Sequence, residues 1–147
     1  MINPSLSSET LHASCVVRGG RAVLISGRSG SGKSDLALRL IDRGASLVSD
    51  DYTMVRRVNG RLLASAPANI VGKMEVRGIG IVEVPSEAEG EVCLMVDLGR
   101  EAPRMRQEDE SMIVAGVKLP VVVLNGLEAS APVKVEVALA TFGLQAG

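Results

Sequence analysis

The chain has 147 residues, with 16 basic and 17 acidic side chains and a formal net charge of −1. That balance gives no electrostatic case for nucleic acid or an anionic membrane; no leader pattern is present, and no apolar run approaches the roughly 18 residues of a membrane span. The length is that of one domain, and with one Phe, one Tyr and no Trp its core must be aliphatic.

Residues 1–9 include Asn3, Pro4, Ser5, Ser7 and Ser8 and read as a flexible tail, leaving 10–147 as a single domain. Residues 10–17 and 21–25 are candidate strands around Gly19-Gly20, a hairpin cue. His12, the only histidine, lies on the first; alone it reads as a solvent-facing or hydrogen-bonded residue. Cys15 and Cys93 are isolated, with no CxxC pattern and no zinc-ligand spacing. They read as small buried hydrophobes of a reducing compartment, and a cytoplasmic location is expected.

The stretch over residues 23–43 organises the chain. Its centre, Gly27, Arg28, Ser29, Gly30, Ser31, Gly32, Lys33 and Ser34, fits the phosphate-binding pattern G-x-x-x-x-G-K-[ST]. That pattern needs a strand before it and a helix after it. Residues 22–26 are a short apolar run with β-branched members, and residues 33–43 carry apolar side chains at 36, 37, 40 and 41, one helical face, before Gly44. Glycines let successive N–H groups form a nest for phosphate oxygens, and the helix N-terminus adds partial positive charge there. Lys33 supplies a mobile cation for the β- and γ-phosphates, and Ser34 an oxygen for Mg2+.

Residues 45–49 read as the next strand, ending in Asp50-Asp51. Strand carboxyl ends collect at the ligand crevice of such folds. Adjacent carboxylates in a strand point to opposite faces, so different jobs are expected: one toward Mg2+, the other toward the substrate. A polar turn opening the next strand is the plainer alternative. Residues 52–58 and 61–65 form a hairpin around Asn59-Gly60, and 66–72 a loop. Residues 74–82, MEVRGIGIV, read as a β-like run whose glycines signal close backbone approach or a bulge; Glu75 and Arg77 share a face and could pair. Residues 87–91 read as an acidic turn and 92–98 as a strand. Residues 99–111 read as a solvated loop, or as a mobile loop carrying an arginine toward a transferred phosphoryl group. Residues 117–124 read as a strand that, with Pro120 inside it, lies at an edge or starts late, and 132–142 as a C-terminal helix.

Several separated pieces agree with one family. His12 before a strand, GRSGSGKSDLAL, residues 41–51 (IDRGASLVSDD) and MEVRGIGIVEV occur in an order and at intervals that resemble the catalytic domain of HPr kinase/phosphorylase. The match is good over about residues 10–85 and weaker beyond. The resemblance implies an α/β fold of the HPr kinase and PEP carboxykinase type: a P-loop-type core, a central mixed β-sheet, β-hairpins and few helices. It implies ATP- and Mg2+-dependent phosphorylation of a serine on an HPr-like phosphocarrier protein, with pyrophosphate as a further donor. It makes His12 a catalytic-site residue, Asp51 the acid/base with Asp50 beside it, Glu75 a second Mg2+ carboxylate with Ser34 and Asp50, and Arg104 an active-site arginine with Arg106 the runner-up. A homo-oligomer is expected, without assuming the hexamer of longer members.

The departures also have content. The chain resembles the shortened alphaproteobacterial forms, starts almost at His12, and has NGLEASAPVK over residues 125–134 where longer members carry a Pro-Gly-Arg loop tied to dephosphorylation. Kinase activity is therefore expected, with reverse phosphorolysis left open; Asp35 stands where Glu is usual. Two rival readings remain: a small-molecule P-loop kinase using residues 99–111 as a lid, and a nucleotide-sensing module without catalysis.

Overall fold

The computed structural model describes residues 7–147. Strands β1 (Ser8–Leu11), β2 (Ala13–Arg18) and β3 (Arg21–Ser26) lead into helix α1 (Lys33–Asp42); β4 (Ser46–Ser49), β5 (Thr53–Val58), β6 (Arg61–Ser65), β7 (Lys73–Val76), β8 (Gly80–Glu83), β9 (Glu89–Asp97), β10 (Ser111–Val114) and β11 (Val117–Val123) precede helix α2 (Ala131–Phe142). Nine strands form one mixed sheet in the order β1-β5-β6-β9-β3-β2-β4, with β11 parallel to β9 and β10 outside β11. The α/β class and mixed sheet agree with expectation.

Both faces of the central strands are covered. Val23 and Ile25 of β3 and Leu94 and Val96 of β9 meet Leu36, Ala37 and Leu40 of α1 and Ala131, Val135 and Ala138 of α2. Ala22, Leu24, Val92 and Met95 face the other way, into a core closed by the curl of the sheet through Val55, Leu62, Leu119 and Val121. This explains why RAVLIS and EVCLMV read as near-continuous apolar runs: a strand buried on both faces has no polar side to alternate with.

Several element readings need correction. The strand expected over 10–17 is two strands, because β1 pairs with β5 whereas β2 pairs with β3 and β4; the chain changes neighbours at His12. The expected tail over 1–9 overlaps β1 at Ser8 and Glu9, and residues 1–6 lie outside the described residues. Residues 74–82 are not one run but a separate hairpin of β7 and β8. The glycines there serve a turn rather than close approach, since Gly78 has φ 86° and Gly80 φ 119° with open space where a Cβ would stand. The acidic turn expected over 87–91 already belongs to β9, where Glu89, Gly90 and Glu91 pair with Ser65, Ala64 and Leu63. A three-residue 3-10 turn (Ala68–Ile70) interrupts the 66–72 loop, and the unexpected β10 pairs with β11, so the strand carrying Pro120 is not an edge but lies between β9 and β10. The C-terminal helix is present.

Candidate phosphate and acceptor site

The topology gathers one edge of the sheet. Strands β3, β9 and β11 run parallel, with Ser26 level with Asp97 and Val123 level with Asp97, so their carboxyl ends coincide. Strand β2 lies antiparallel between β3 and β4. Its first residue and the last residue of β4 therefore reach the same edge. The loop of residues 27–32, the start of β2 at His12-Ala13 and the Asp50-Asp51 pair meet there.

The loop leaves β3 at Ser26 and enters α1 at Gly32, which caps the helix with φ 97° and no side-chain cap. A side-chain cap would occupy the first N–H groups; without one they stay available to an anion. A methyl at Gly27 would collide with the Ser31 hydroxyl, and that hydroxyl is buried with no partner among the described residues. A cradle too close for a Cβ and a buried unpaired hydroxyl fit a loop shaped around phosphate oxygens. Gly126 and Leu127 pack against Gly32, and Arg39 of α1 donates to the carbonyls of Gly126 and Glu128, so the segment after β11 backs the loop. Arg28, Ser29 and Gly30 form its exposed crest.

Lys33, buried, spans the loop with Nζ donating to the carbonyls of Gly27 at 2.9 Å and Arg28 at 3.2 Å, and lies 4.0 Å from Oδ1 of Asp51. The two aspartates take different partners. Asp50 is buried: its Oδ1 accepts from Ser34 Oγ at 2.6 Å and Ser14 Oγ at 3.1 Å, and its Oδ2 lies 3.4 Å from the Glu75 N–H. Asp51 is half exposed and faces His12 Nε2 at 2.9 Å. The expected separation of the pair arises from a turn, not a strand pleat: Asp51 has φ 66°, and Tyr52 N–H donates to the Asp50 carbonyl. Ser49 Oγ closes the turn onto the Tyr52 carbonyl.

The pairing of Leu11 with Thr53 puts His12 beside this turn, and the imidazole stacks on Tyr52 with centroids 5.0 Å apart. A lone histidine thus acquires two neighbours, Asp51 and Tyr52, that the sequence placed far away. Ser14 and Tyr52 were not singled out from sequence; a serine in an apolar strand and a lone tyrosine carry no local signal.

Not every expected residue converges. Glu75 reaches Asp50 through its backbone, its side chain is exposed, and among the described residues neither an ion pair with Arg77 nor a cluster of three acidic, His or Cys groups at metal-binding distance occurs. Ser34 and Asp50 nevertheless form an all-oxygen pair beside the loop, the donor type Mg2+ takes when phosphates complete its shell. Arg104 is exposed on the 98–110 segment, lining a cavity of about 190 Å³ with Arg106, Glu110, Asn125 and Lys134, and among the described residues none of the hydrogen bonds or ion pairs of His12, Lys33, Asp50 and Asp51 is to Arg104. Arg106 is held inside the fold, donating to the carbonyls of Val121 and Glu110 and lying 4.3 Å over the Phe142 ring.

A family model described as the HPr Serine kinase C-terminal domain matches residues 5–145. Among curated proteins, HPr kinase/phosphorylase of Clostridium tetani is 45% identical over 86 residues, covering 58% of this chain and 28% of its own length. Those of Clostridium acetobutylicum and Caldicellulosiruptor bescii are 33% and 36% identical over 129 residues, covering 79% and 78% of this chain and 42% and 41% of their own lengths. The chain therefore spans less than half of these relatives. The solved structure of the HPr(Ser) kinase/phosphatase from Coxiella burnetii superposes with a TM-score of 0.76 at 29% identity, covering 90% of this chain and 94% of that one.

Proposed function

The chain belongs to the HPr serine kinase C-terminal domain family, and from that premise we propose that it transfers the γ-phosphoryl group of ATP to a serine of an HPr-like phosphocarrier protein, with Mg2+ as cofactor. The observation that carries the reading is the meeting of Lys33, Asp51 and His12 at the mouth of the phosphate-type loop, with Asp50 and Ser34 directly beneath.

The loop N–H groups and Lys33 hold the phosphates and aim the chain of oxygens outward. For that, Lys33 leaves the Gly27 and Arg28 carbonyls and turns to the phosphate oxygens. A serine hydroxyl is a weak nucleophile. Asp51, accessible at the edge, accepts its proton as the serine Oγ–P bond forms and the bond to the β-phosphate oxygen breaks, leaving ADP. His12, stacked on Tyr52, keeps the Asp51 carboxylate turned toward the acceptor. Mg2+, when bound, neutralises charge on the transferred group; Ser34 and Asp50 would hold it, with Glu75 as a further carboxylate from the β7–β8 hairpin. Arg104, which makes no hydrogen bond or ion pair among the described residues, is assigned to the transferred phosphoryl group in preference to the internally held Arg106.

Incubating the chain with Mg2+, labelled ATP and an HPr-type carrier tests the proposal. Label on the carrier supports it. ATP bound without transfer favours a nucleotide-sensing module, and transfer to a small molecule alone favours the other rival.

A further inference from the structure

Ser14 is fully buried, and it is the one hydroxyl in a β2 segment whose other buried members are Ala13, Cys15, Val16 and Val17. A buried hydroxyl is costly unless both its donor and its acceptor capacity are used. Here both go to the site. Ser14 Oγ donates to Asp50 Oδ1 at 3.1 Å and accepts the backbone N–H of Asp51 at 3.0 Å. The second bond holds a residue at φ 66°, a conformation that a non-glycine residue seldom keeps without support. The strand that carries Ser14 is itself shaped for this: the β2–β4 register shifts between Cys15 and Val16, immediately beside it. Such irregularities re-aim side chains next to sites.

We infer that Ser14 is a positioning residue, a single hydroxyl that sets the Asp50 carboxylate and the Asp51 backbone together. It rests on the proposed function. Asp50 Oδ1 receives two hydroxyls, one from the part-buried Ser34 in the first turn of α1, the other from the fully buried Ser14 on β2. The strand partner is the more deeply buried one, on a strand paired on both sides by β3 and β4. It determines where Oδ1 stands, hence which way Ser34 directs its O–H and where the lone pairs of Ser34 open. Ser14 touches neither phosphate nor acceptor and acts only through these two aspartates. Its loss should therefore be felt in the use of Mg2+ and not in the grip of the loop on phosphate.

The test is calorimetric titration of Mg2+ into the full chain saturated with a non-hydrolysable ATP analogue, with a parallel nucleotide titration in EDTA. Ser14→Ala is expected to raise the Mg2+ concentration for half-saturation roughly ten-fold, the scale of losing a group behind a metal ligand, while binding in EDTA stays as in the unaltered chain. Cys15→Ala, a buried change on the same strand but outside the site, is expected to leave the Mg2+ requirement unchanged. If Ser14→Ala does not fold, Ser14→Cys, similar in size but a weak donor, is read with the same expectation. An unchanged Mg2+ requirement, an equal shift in Cys15→Ala, or an equal loss in EDTA overturns the inference while leaving the kinase reading intact. An unaltered chain that binds no nucleotide at any Mg2+ concentration overturns that reading, and the inference with it.

Discussion

The imidazole Nε2 of His12 stands 2.9 Å from Oδ1 of Asp51, although 39 positions separate them in the chain. The contact exists because β1 pairs with β5 and β2 with β3, so the residue between them is delivered to the turn that follows β4. Asp51 is the only one of the two aspartates open to an incoming hydroxyl. Replacing it by Asn keeps shape and removes the proton acceptor. Asp51→Asn is expected to lower phosphoryl transfer by roughly 10²- to 10⁴-fold with nucleotide affinity unchanged, measured by single-turnover transfer beside equilibrium binding. Normal turnover in this variant would refute the base assignment.

The loop makes the opposite prediction. A Cβ at Gly27 runs into Ser31 Oγ. Gly27→Ala is expected to weaken nucleotide binding by at least roughly ten-fold, about 1.4 kcal/mol, and to lower thermal stability as well, because the added Cβ also presses on Leu98 at the edge of the core. Fluorescent-nucleotide titration and a melting curve separate the two effects.

Acid should loosen the contact between the helices. Glu136 of α2 accepts from Arg43 through Nε at 3.1 and 3.0 Å and through Nη2 at 2.7 Å, and from Arg18 at 2.8 Å. The hydrogen-bonded Arg43 guanidinium, with Arg18 adding its charge, holds the Glu136 carboxyl below its ordinary value against a smaller opposing effect of burial. A depressed folded-state value stabilises the fold above the ordinary carboxylate range and loses that contribution as pH falls through it. The pair is part exposed, so the contribution is roughly 0.5–1 kcal/mol. Glu136→Gln is expected to lower stability near neutral pH and to flatten the acid limb of the stability curve; an acid limb identical to that of the unaltered chain would contradict the assignment.

Both cysteines are free and buried, and burial pushes the Cys15 thiol far above its ordinary value and raises that of Cys93. Thiolate is the reactive form. Neither should be alkylated at neutral pH in the folded chain, and both should react in denaturant, a result read by intact mass.

What could be read from sequence was local. Residues 27–34 declare a phosphate loop through glycine spacing, and α1 declares itself by Leu36, Ala37 and Leu40 on one face. The hairpin turns at Gly19-Gly20 and Asn59-Gly60 need only their own φ preferences. What stayed hidden was set by partners far along the chain. Nothing in residues 10–17 shows that the strand breaks at His12, since the break follows from two different neighbours. Strand β10 lies in a stretch whose Ser111 and Met112 carry little β signal and is formed by pairing with β11. Ser14 looks like one polar residue in an apolar strand, and only the fold shows Asp50 and Asp51 on either side of its hydroxyl. The resemblance to a family supplied His12 and Glu75; the geometry brings the first to Asp51 and the backbone N–H of the second to Asp50, with the Glu75 side chain exposed.

The most direct test is the transfer itself, with the product mapped. The purified chain is incubated with Mg2+ and ATP, and separately with pyrophosphate, in the presence of HPr-type carriers, and the carriers are analysed by peptide mass spectrometry. The account predicts a single phosphoserine formed with ATP and lost with Asp51→Asn. No phosphoryl transfer from either donor to any HPr-type carrier, by a chain that folds and binds nucleotide, would contradict it.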